Sequence, residues 1–212
     1  MKLRLHTRYQ NSAGERVRIV LNLKGVNYEY VPIASLSDEA YVALNPQGLM
    51  PTLEIDGRIV TQSMAIMELL EELFPQPSIF PDDAVLKAQA RAFAQVIAAD
   101  LHPVVVGRVR RYLGDVVGAD TGADDAWYQH WQGEAFSSLE TQLSRRLTAS
   151  PFCFGDQPGI AEACLVPQMA NARRFKSDLS AYPQLVAIDA ACRELDPFVR
   201  AAPKAQRDFP GP

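Results

Sequence analysis

Hydrophobic and polar residues alternate in short runs through the first 74 positions of the chain. The runs KLRLH, YEYVPI, PTLEI and RIVTQ have the period of two that is typical of strands. The segments ERVRIVLNLKG and SMAIMELLEEL carry apolar residues at helical spacing, and a short polar helix is predicted over 38–44. The order of these elements predicts a βαβ–α–ββα arrangement.

Two turn signals refine this arrangement. Gly25 follows the apolar stripe of Val17, Val20 and Leu21, so we expect the first helix to stop there. The pair Asp56-Gly57 lies between the last two predicted strands and is a strong signal for a two-residue hairpin. We therefore predict that strands three and four are antiparallel, while the first two strands are parallel.

A proline-rich segment, FPQPSIFPDDA, follows the last of these elements and predicts a stiff linker. Beyond it the periodicity is helical, with helices predicted over 84–113, 126–148, 160–175 and 184–194. The glycine-rich stretch 114–125 is predicted to be a flexible loop. The expected domains are residues 1–74 and 85–212, joined by a linker at 75–84.

Composition and charge narrow the class of protein. The chain has 212 residues, of which 48% are hydrophobic and 22% charged, which is typical of a globular protein with a substantial core. A net charge of −4 gives no support for binding nucleic acid or an anionic membrane. The N-terminus lacks the apolar run of a signal peptide, and no stretch is predicted to span a membrane.

The cysteines and histidines point to a reduced protein without a metal. Three cysteines without C-x-x-C spacing are typical of free thiols, so we expect a cytoplasmic protein. The three histidines, His6, His102 and His130, are far apart in the sequence and share no ligand motif. A metal site is therefore not predicted.

Pro51 stands directly before the third predicted strand, where a residue without an N–H cannot join the ladder. A cis Met50–Pro51 bond would turn the Met50 backbone outward, free to pair with another peptide. Nearby, Gln62 and Ser63 open a predicted helix, whose first N–H groups and positive dipole end favour a carboxylate. We expect Ser63 to be the N-cap, a role that is commonly structural. A carboxylate site beside a free backbone edge fits a small peptide.

These features together resemble the glutathione transferases. More narrowly, RVRIVLNLKG, NPQGLMPTLEIDGRIVTQSMAIMELLEELFP, DLHP and AEACLVPQMANARRFKSDLSAYPQL are similar to the zeta class, the maleylacetoacetate and maleylpyruvate isomerases. The similarity covers nearly the whole chain except the 114–125 loop and the tail from Pro203. It implies a thioredoxin-like α/β N-terminal domain that binds glutathione through Met50, Pro51, Gln62 and Ser63, and an all-α C-terminal domain for substrate binding and dimerisation.

The resemblance also implies a reaction. Enzymes of this class add the glutathione thiolate to a cis double bond, allow rotation, and expel the thiolate, so glutathione is a cofactor that is not consumed. Conversion of maleylpyruvate to fumarylpyruvate is favoured here, with maleylacetoacetate as the alternative substrate. A glutathione-conjugating transferase and a non-catalytic binding module with the same fold are further alternatives. A homodimer is expected.

The family carries Ser-Ser-Cys before Arg-Val-Arg-Ile, whereas this chain has Asn11-Ser12-Ala13. The resemblance therefore implies that Ser12, at the start of the first helix, donates a hydrogen bond to the glutathione thiolate, with Asn11 as a second donor. It leaves open which of the two residues stabilises the sulfur. Helix capping by the same pair is the structural alternative. Arg8 follows the first strand and is expected near the sulfur and the substrate.

Arginines are expected to hold the carboxylates of the substrate, because a guanidinium pairs with a carboxylate through two hydrogen bonds. Arg174 matches the family's arginine, and Arg110 is chosen by its spacing; the orientations of Arg108, Arg111 and Arg173 stay open. His102 in DLHP is expected to contact glutathione or the substrate, or else to be structural. Relatives often have Lys-Gln before Val-Pro where this chain has Gly-Leu before Met-Pro, so Gln47 is the expected substitute for the missing glutamine.

Overall fold

The computed structural model describes residues 1–146 and 150–211. The chain forms two compact units: unit 1 contains Met1–Phe80 and Cys192–Pro212, and unit 2 contains Pro81–Ala191. The boundary after Phe80 lies within the predicted linker 75–84. The second domain was expected to run over 85–212, whereas the structure places the C-terminal segment in unit 1.

The C-terminal segment joins unit 1 because buried polar side chains of the first helix need acceptors there. Arg18 Nε donates to the carbonyl oxygen of Ala201 at 2.8 Å, and Asn22 Nδ2 donates to that of Pro197 at 2.9 Å. Arg18 is completely buried, so its guanidinium would be costly without such partners. Helical periodicity in the sequence carries no information about this pairing.

Unit 1 is built on a mixed four-stranded sheet of order β2-β1-β3-β4, in which β1 is parallel to β2 and antiparallel to β3. Strands β3 and β4 form an antiparallel hairpin. These findings confirm the predicted βαβ–α–ββα order and the predicted fold class. The elements are β1 (Leu3–Thr7), α1 (Ser12–Leu23), β2 (Glu29–Pro32), α2 (Asp38–Leu44), β3 (Thr52–Ile55), β4 (Arg58–Thr61) and α3 (Ser63–Leu73).

Both predicted turn signals are confirmed. Gly25 has a φ of +63°, and the N–H of Val26 donates to the Leu21 carbonyl at 2.9 Å, which closes the C-terminus of α1. Asp56 and Gly57 have φ angles of +47° and +79°, as a hairpin turn of the primed type requires.

A buried lysine ties the start of the linker to unit 1. The Lys24 side chain is fully buried, and its Nζ donates to Glu71 Oε2 at 2.7 Å and to the Phe74 and Pro77 carbonyls at 2.6 and 2.9 Å. Glu71 also accepts hydrogen bonds from the Ser78 hydroxyl and the Ile79 N–H, at 2.6 and 3.1 Å. Each of these polar groups therefore has a hydrogen-bond partner, which offsets the free-energy cost of its burial.

Helices dominate the second half of the chain. They are α4 (Ala84–Gln95), α5 (His102–Val105), α6 (Gly107–Tyr112), α7 (Thr121–Ser144), α8 (Ile160–Arg174), α9 (Pro183–Arg193) and, in the C-terminal segment, α10 (Asp196–Ala201). The core of unit 2 is formed by fully buried apolar side chains, among them Phe93, Ile97, Phe136, Leu165 and Met169. The all-helical character predicted for this region is confirmed.

The single helix expected over 84–113 is interrupted. The backbone is π-helical over Val96–Leu101, just before Pro103, and leaves the helical region at Val106, where ψ is 149°. A proline inside a helix removes one hydrogen bond and crowds the preceding turn, which accounts for the wider turn upstream. The carbonyl of Val104 near the break is satisfied by Trp127 Nε1, at 2.8 Å.

The segment between α6 and α7 is also more ordered than its glycines indicated. A π-helical turn covers Leu113–Val117, and α7 begins at Thr121, with the Asp120 carboxylate accepting from the Ala123 N–H at 2.8 Å. The prediction of a flexible loop over 114–125 was therefore wrong for most of its length. The far end of the helix predicted over 126–148 includes Leu147 and Thr148, which lie outside the described residues.

One stretch, Ala84–Val117, is long and apolar enough to cross a membrane by length and composition alone. No stretch of this length and hydropathy was expected from the sequence, and that expectation was wrong. The core helix of a soluble protein passes the same test, so this single stretch is weak evidence for a membrane span.

Candidate functional site

The loop from β1 to α1 carries the residues predicted to handle the sulfur. Asn11 is the N-cap of α1, and its Oδ1 accepts from the Gly14 N–H at 2.6 Å. Ser12 is the first helical residue, and within the described residues its half-buried hydroxyl makes no hydrogen bond. Asn11 thus performs the capping role that was weighed against a catalytic one, while the Ser12 hydroxyl lies at the positive end of α1.

A tight contact fixes the geometry of this turn. A Cβ atom placed on Gly14 would lie 2.0 Å from Thr7 Oγ1 and 2.8 Å from Asn11 Oδ1. Only glycine therefore allows α1 to begin this close to the end of β1.

Arg18 holds the same loop and was not predicted as a site residue. Its Nη1 donates to the Arg8 carbonyl at 3.2 Å, and its Nη2 donates to the Tyr9 carbonyl at 3.1 Å. Burial lowers the pKa of Arg18, and the nearby Glu15 carboxylate raises it in part. Arg8 itself is exposed, and its Nε donates to the Gln10 carbonyl at 3.1 Å. The RVRI motif offered no sign that its second arginine is buried.

The segment before β3 forms the second part of the site in unit 1. The Met50–Pro51 peptide bond is cis, as the peptide-binding hypothesis required. The preceding carbonyl, that of Leu49, accepts from the Tyr41 hydroxyl at 2.9 Å and from Asn45 Nδ2 at 2.5 Å. Pro51 is buried whereas Met50 is half-buried, so two polar side chains and one buried ring fix the backbone at this position.

Gln62 occupies an unusual backbone conformation for a residue with a side chain, with φ of +70° and ψ of 117°. Its carbonyl accepts the first hydrogen bond of α3 from the Ile66 N–H at 3.0 Å, so Gln62 is the N-cap. Its Nε2 donates to Gln47 Oε1 at 2.8 Å. The structure therefore brings together Gln62 and Gln47, the two glutamines predicted to contact glutathione, and strained positions of this kind concentrate at binding sites.

The prediction that Ser63 is the N-cap was wrong by one residue. Ser63 is the first residue within α3, and its buried hydroxyl accepts from Arg16 Nη1 at 3.3 Å. The physical reason is that Arg16 is buried and requires an acceptor. Because the side chain of Gln62 does not cap α3, the N–H groups at the start of this helix are suited to a ligand carboxylate.

In unit 2, two of the predicted substrate-binding arginines converge on one aromatic ring. The Arg110 guanidinium lies 4.3 Å from the centroid of the Phe175 ring, and the Arg174 guanidinium lies 4.5 Å from the same centroid. Arg110 pairs with the carboxylate of Asp124 through Nε at 2.7 Å and through Nη2. Arg174 Nη2 donates to Asn171 Oδ1 at 3.3 Å. Two guanidinium groups, one of them paired with Asp124, therefore lie at one ring, and their further N–H donors suit anionic groups.

Tyr128 supports this cluster from within the core. Its ring lies 4.0 Å from that of Phe175, and its hydroxyl accepts from Gln168 Nε2 at 3.2 Å. Burial raises the pKa of Tyr128 to about 12, against the opposing effects of Arg174, Gln168 and Arg110. The phenol is therefore neutral at physiological pH, and the positive charge of the two arginines is not cancelled by it.

The remaining arginines and His102 are distributed as follows. Arg108 and Arg111 are exposed on α6. Arg173 Nη2 lies 2.6 Å from the carboxylate of the buried Asp189, so this arginine joins α8 to α9. His102 begins α5 and is half-buried. Among the described residues, no group of three or more His, Cys, Asp or Glu side chains is arranged to hold a metal ion.

Comparison with known proteins identifies the family. Residues 7–78 match the glutathione S-transferase N-terminal domain. The chain is 42% identical to a maleylpyruvate isomerase from a Ralstonia species, over 97% of this chain and 99% of that protein. It is also 42% identical to a maleylacetoacetate isomerase from Rhizobium meliloti, over 94% of this chain and 95% of that protein.

A solved structure resembles the whole chain as closely. It is a holo structure of maleylpyruvate isomerase, a bacterial glutathione S-transferase of the zeta class, and matches with a TM-score of 0.93 and 42% identity over 97% of this chain and 99% of that one. Sequence, fold and site geometry thus agree, and the chain belongs to the zeta-class glutathione transferase family, which includes the maleylpyruvate and maleylacetoacetate isomerases.

Proposed function

We propose that this protein is a glutathione-dependent cis–trans isomerase that converts maleylpyruvate to fumarylpyruvate. The observation that carries the proposal is the convergence of Arg110 and Arg174 on the Phe175 ring. Such cations suit an enzyme that acts on a dicarboxylate, because charge-assisted hydrogen bonds to a carboxylate are about twice as strong as neutral ones.

Unit 1 has the features that fit glutathione. The start of α3, with the Ser63 hydroxyl and the Gln62 side chain beside it, suits the γ-glutamyl carboxylate. The Met50 backbone, just before β3, suits strand-like pairing with the peptide. When bound, glutathione supplies a thiolate that adds to the cis double bond and leaves after rotation about the resulting single bond.

The residues of this chain have two tasks in that reaction. The Ser12 hydroxyl and the positive end of α1 stabilise a sulfur anion and so favour the ionised thiol at neutral pH. The Oδ1 of Asn11 accepts the capping hydrogen bond from the Gly14 N–H, and its amide Nδ2 is the group that can donate to the sulfur anion. Arginines stabilise the carboxylates and the enolate that forms when the thiolate adds, and we assign this task to Arg8, Arg110 and Arg174.

Maleylacetoacetate is the second candidate substrate, because the chain is equally identical to one isomerase of each kind, at 42%. Maleylpyruvate is preferred because the Asn11-Ser12-Ala13 segment and the added Arg8 depart from the maleylacetoacetate isomerases. The shorter acid would also bring its second carboxylate nearer the sulfur. The two substrates differ by one carbon, a difference that a pocket separates by only about 1–3 kcal/mol.

An ultraviolet assay of both purified cis acids tests the proposal, with glutathione at a small fraction of the substrate concentration. We expect complete conversion, with a larger kcat/KM for maleylpyruvate. Preference for maleylacetoacetate would support the second candidate. Turnover that stops after one equivalent of glutathione would identify a conjugating transferase, and glutathione binding without turnover of either acid would identify a non-catalytic module.

We also propose a cytoplasmic homodimer. All three cysteines are buried thiols outside any disulfide, which suits a reducing compartment. Tyr112, Val116 and Val117 are 59%, 62% and 64% exposed near the end of the helical segment that begins unit 2, an apolar surface that a second copy would cover. Val105, earlier in the same helical segment, is buried in the core and adds nothing to this surface. Sedimentation should give about twice 23.4 kDa, and a monomer at all concentrations would contradict the proposal.

A further inference from the structure

The C-terminal tail of the chain returns to the loop that carries Arg8. After α10, Asp208 accepts a hydrogen bond from the Tyr9 N–H through Oδ2 at 3.0 Å, and from the Tyr30 hydroxyl through Oδ1 at 2.7 Å. The Phe209 ring packs edge-on against the Tyr9 ring, with centroids 5.5 Å apart. Tyr9 and Asp208, which are 199 positions apart in the sequence, therefore lie in contact next to the start of α1.

The tail is itself anchored, so it can fix the loop. The side chain of Gln206 is buried, and its Nε2 donates to the Arg200 and Ala202 carbonyls at 2.8 and 2.9 Å. Arg207 donates to the Tyr30 carbonyl. The tail is thus bound both to the end of α10 and to the edge strand β2.

Asp208 and Arg18 together account for consecutive backbone groups of one loop. Arg18 donates to the Arg8 and Tyr9 carbonyls, and Asp208 accepts from the Tyr9 N–H. Because these groups lie within one residue of each other, both peptides that flank Tyr9 are fixed. The loop then continues through Gln10 to Asn11, the N-cap of α1, and to Ser12, whose hydroxyl lies at the start of the helix.

We propose that Asp208 is a positioning residue for the thiolate site. By holding the Tyr9 peptide, it sets the direction in which Arg8 and Ser12 are presented. The proposal rests on the proposed role of this loop in glutathione chemistry. Its physical basis is that displacement of a catalytic group by about 1 Å can lower a rate up to about 100-fold.

The test compares D208A and D208N with the parent protein. D208A removes both acceptors, and we expect kcat to fall about 10-fold while the KM for glutathione changes less than about twofold, because the peptide is held elsewhere. The pKa of the bound glutathione thiol, followed by thiolate absorbance, should rise. D208N keeps one oxygen for the Tyr9 N–H and should lie between the parent and D208A in both measurements.

Two further variants separate positioning from general stability. Y30F removes the hydroxyl contact but leaves the Tyr9 contact, so its kcat should stay close to that of the parent. Asp196 forms an exposed ion pair with Arg200 in the same C-terminal segment, and D196N is a matched control that should leave kcat and thiol pKa unchanged.

Hydrogen exchange at the Tyr9 amide gives a readout without turnover. We expect faster exchange in D208A, an intermediate rate in D208N, and the parent rate in D196N. A parent protein that turns over neither acid would refute the proposed function, whereas the thiol pKa and the Tyr9 exchange would still report on positioning. Folded D208A with the parent thiol pKa and kcat would overturn the proposal; if D208A does not fold, D208N with parent exchange at Tyr9 and parent thiol pKa would do so.

Discussion

Arg110 and Asp124 form a two-point pair in which Nε donates to Oδ1 at 2.7 Å and Nη2 donates to Oδ2. Asp124 lies in the first turn of α7, where the helix dipole also favours a negative charge. The pair uses one side of the guanidinium, and a planar guanidinium has a second edge, Nη1 with Nη2, for another carboxylate. Asp124 therefore orients Arg110 on the Phe175 ring.

Replacement of Asp124 by Asn should release Arg110 from this orientation. We expect kcat/KM for the dicarboxylate to fall about 10-fold, because charge-assisted hydrogen bonds contribute roughly 1.5–3 kcal/mol and this pair is partly exposed. Glutathione affinity should stay unchanged. Asp125 is exposed and lies 3.7 Å from the same guanidinium, so D125N is the matched control. Equal kinetics for D124N and D125N would show that the pair does not orient the arginine.

Arg8 and Arg174 should differ in which kinetic constant they affect. We expect Arg8→Met to lower kcat more than it raises KM, because Arg8 follows β1 directly before the sulfur-binding turn. Arg174→Met should chiefly raise KM for the acid, since we propose that Arg174 binds a carboxylate remote from the reacting bond.

Lysine at either position restores the charge but not the paired donors, and should recover only part of the loss. Arg58 is exposed on β4, and R58M serves as the control. Near-parental kinetics for any one of R8M, R110M and R174M would remove that arginine from the site.

Ser63→Ala should weaken glutathione binding about 10-fold, because it removes a hydroxyl at the start of α3 and an acceptor of Arg16. The matched control is S37A, since Ser37 is the N-cap of α2 and accepts from the Ala40 N–H at 3.2 Å. S37A should lower the free energy of unfolding by about 0.5–2 kcal/mol without changing glutathione affinity. Calorimetric titration and thermal unfolding of both variants measure the two effects, and unchanged affinity in folded S63A would exclude Ser63 from binding.

Glu71 should make the fold sensitive to acid. Burial acts to raise the pKa of Glu71, but the hydrogen bonds from Lys24, Ser78 and the Ile79 N–H outweigh it and leave the pKa below its ordinary value. A lowered pKa in the folded state means that Glu71 contributes stability above the pKa of the unfolded chain, and that this contribution is lost as pH falls through the folded value.

The free energy of unfolding, measured from neutral pH into the acid range, checks this sign. E71Q should be less stable than the parent at neutral pH, and the difference should shrink as the pH falls. Glu72 is exposed, so E72Q should follow the parent curve. A difference between E71Q and parent that is independent of pH would contradict the assignment.

Much of unit 1 could be predicted from the sequence, because its signals are local. The stop at Gly25 and the hairpin at Asp56-Gly57 depend on backbone conformations that few residues adopt. The family motifs likewise pointed to Ser63 and Arg174, and spacing along a predicted helix pointed to Arg110, without any structure. Periodicity of two and of 3.6 residues gave the order of the strands and helices.

Only the tertiary structure decided which groups the charged side chains pair with. Arg16 and Arg18 look like solvated residues on an amphipathic helix, yet both are buried and bind Ser63, the loop after β1 and the C-terminal segment. Asp124 looked like part of a flexible loop, yet it orients Arg110. The physical reason is that a local pattern of residues indicates only which side chains face the core. The hydrogen-bond partners of a polar group are whichever groups the folded chain brings within hydrogen-bonding distance, as with Tyr9 and Asp208.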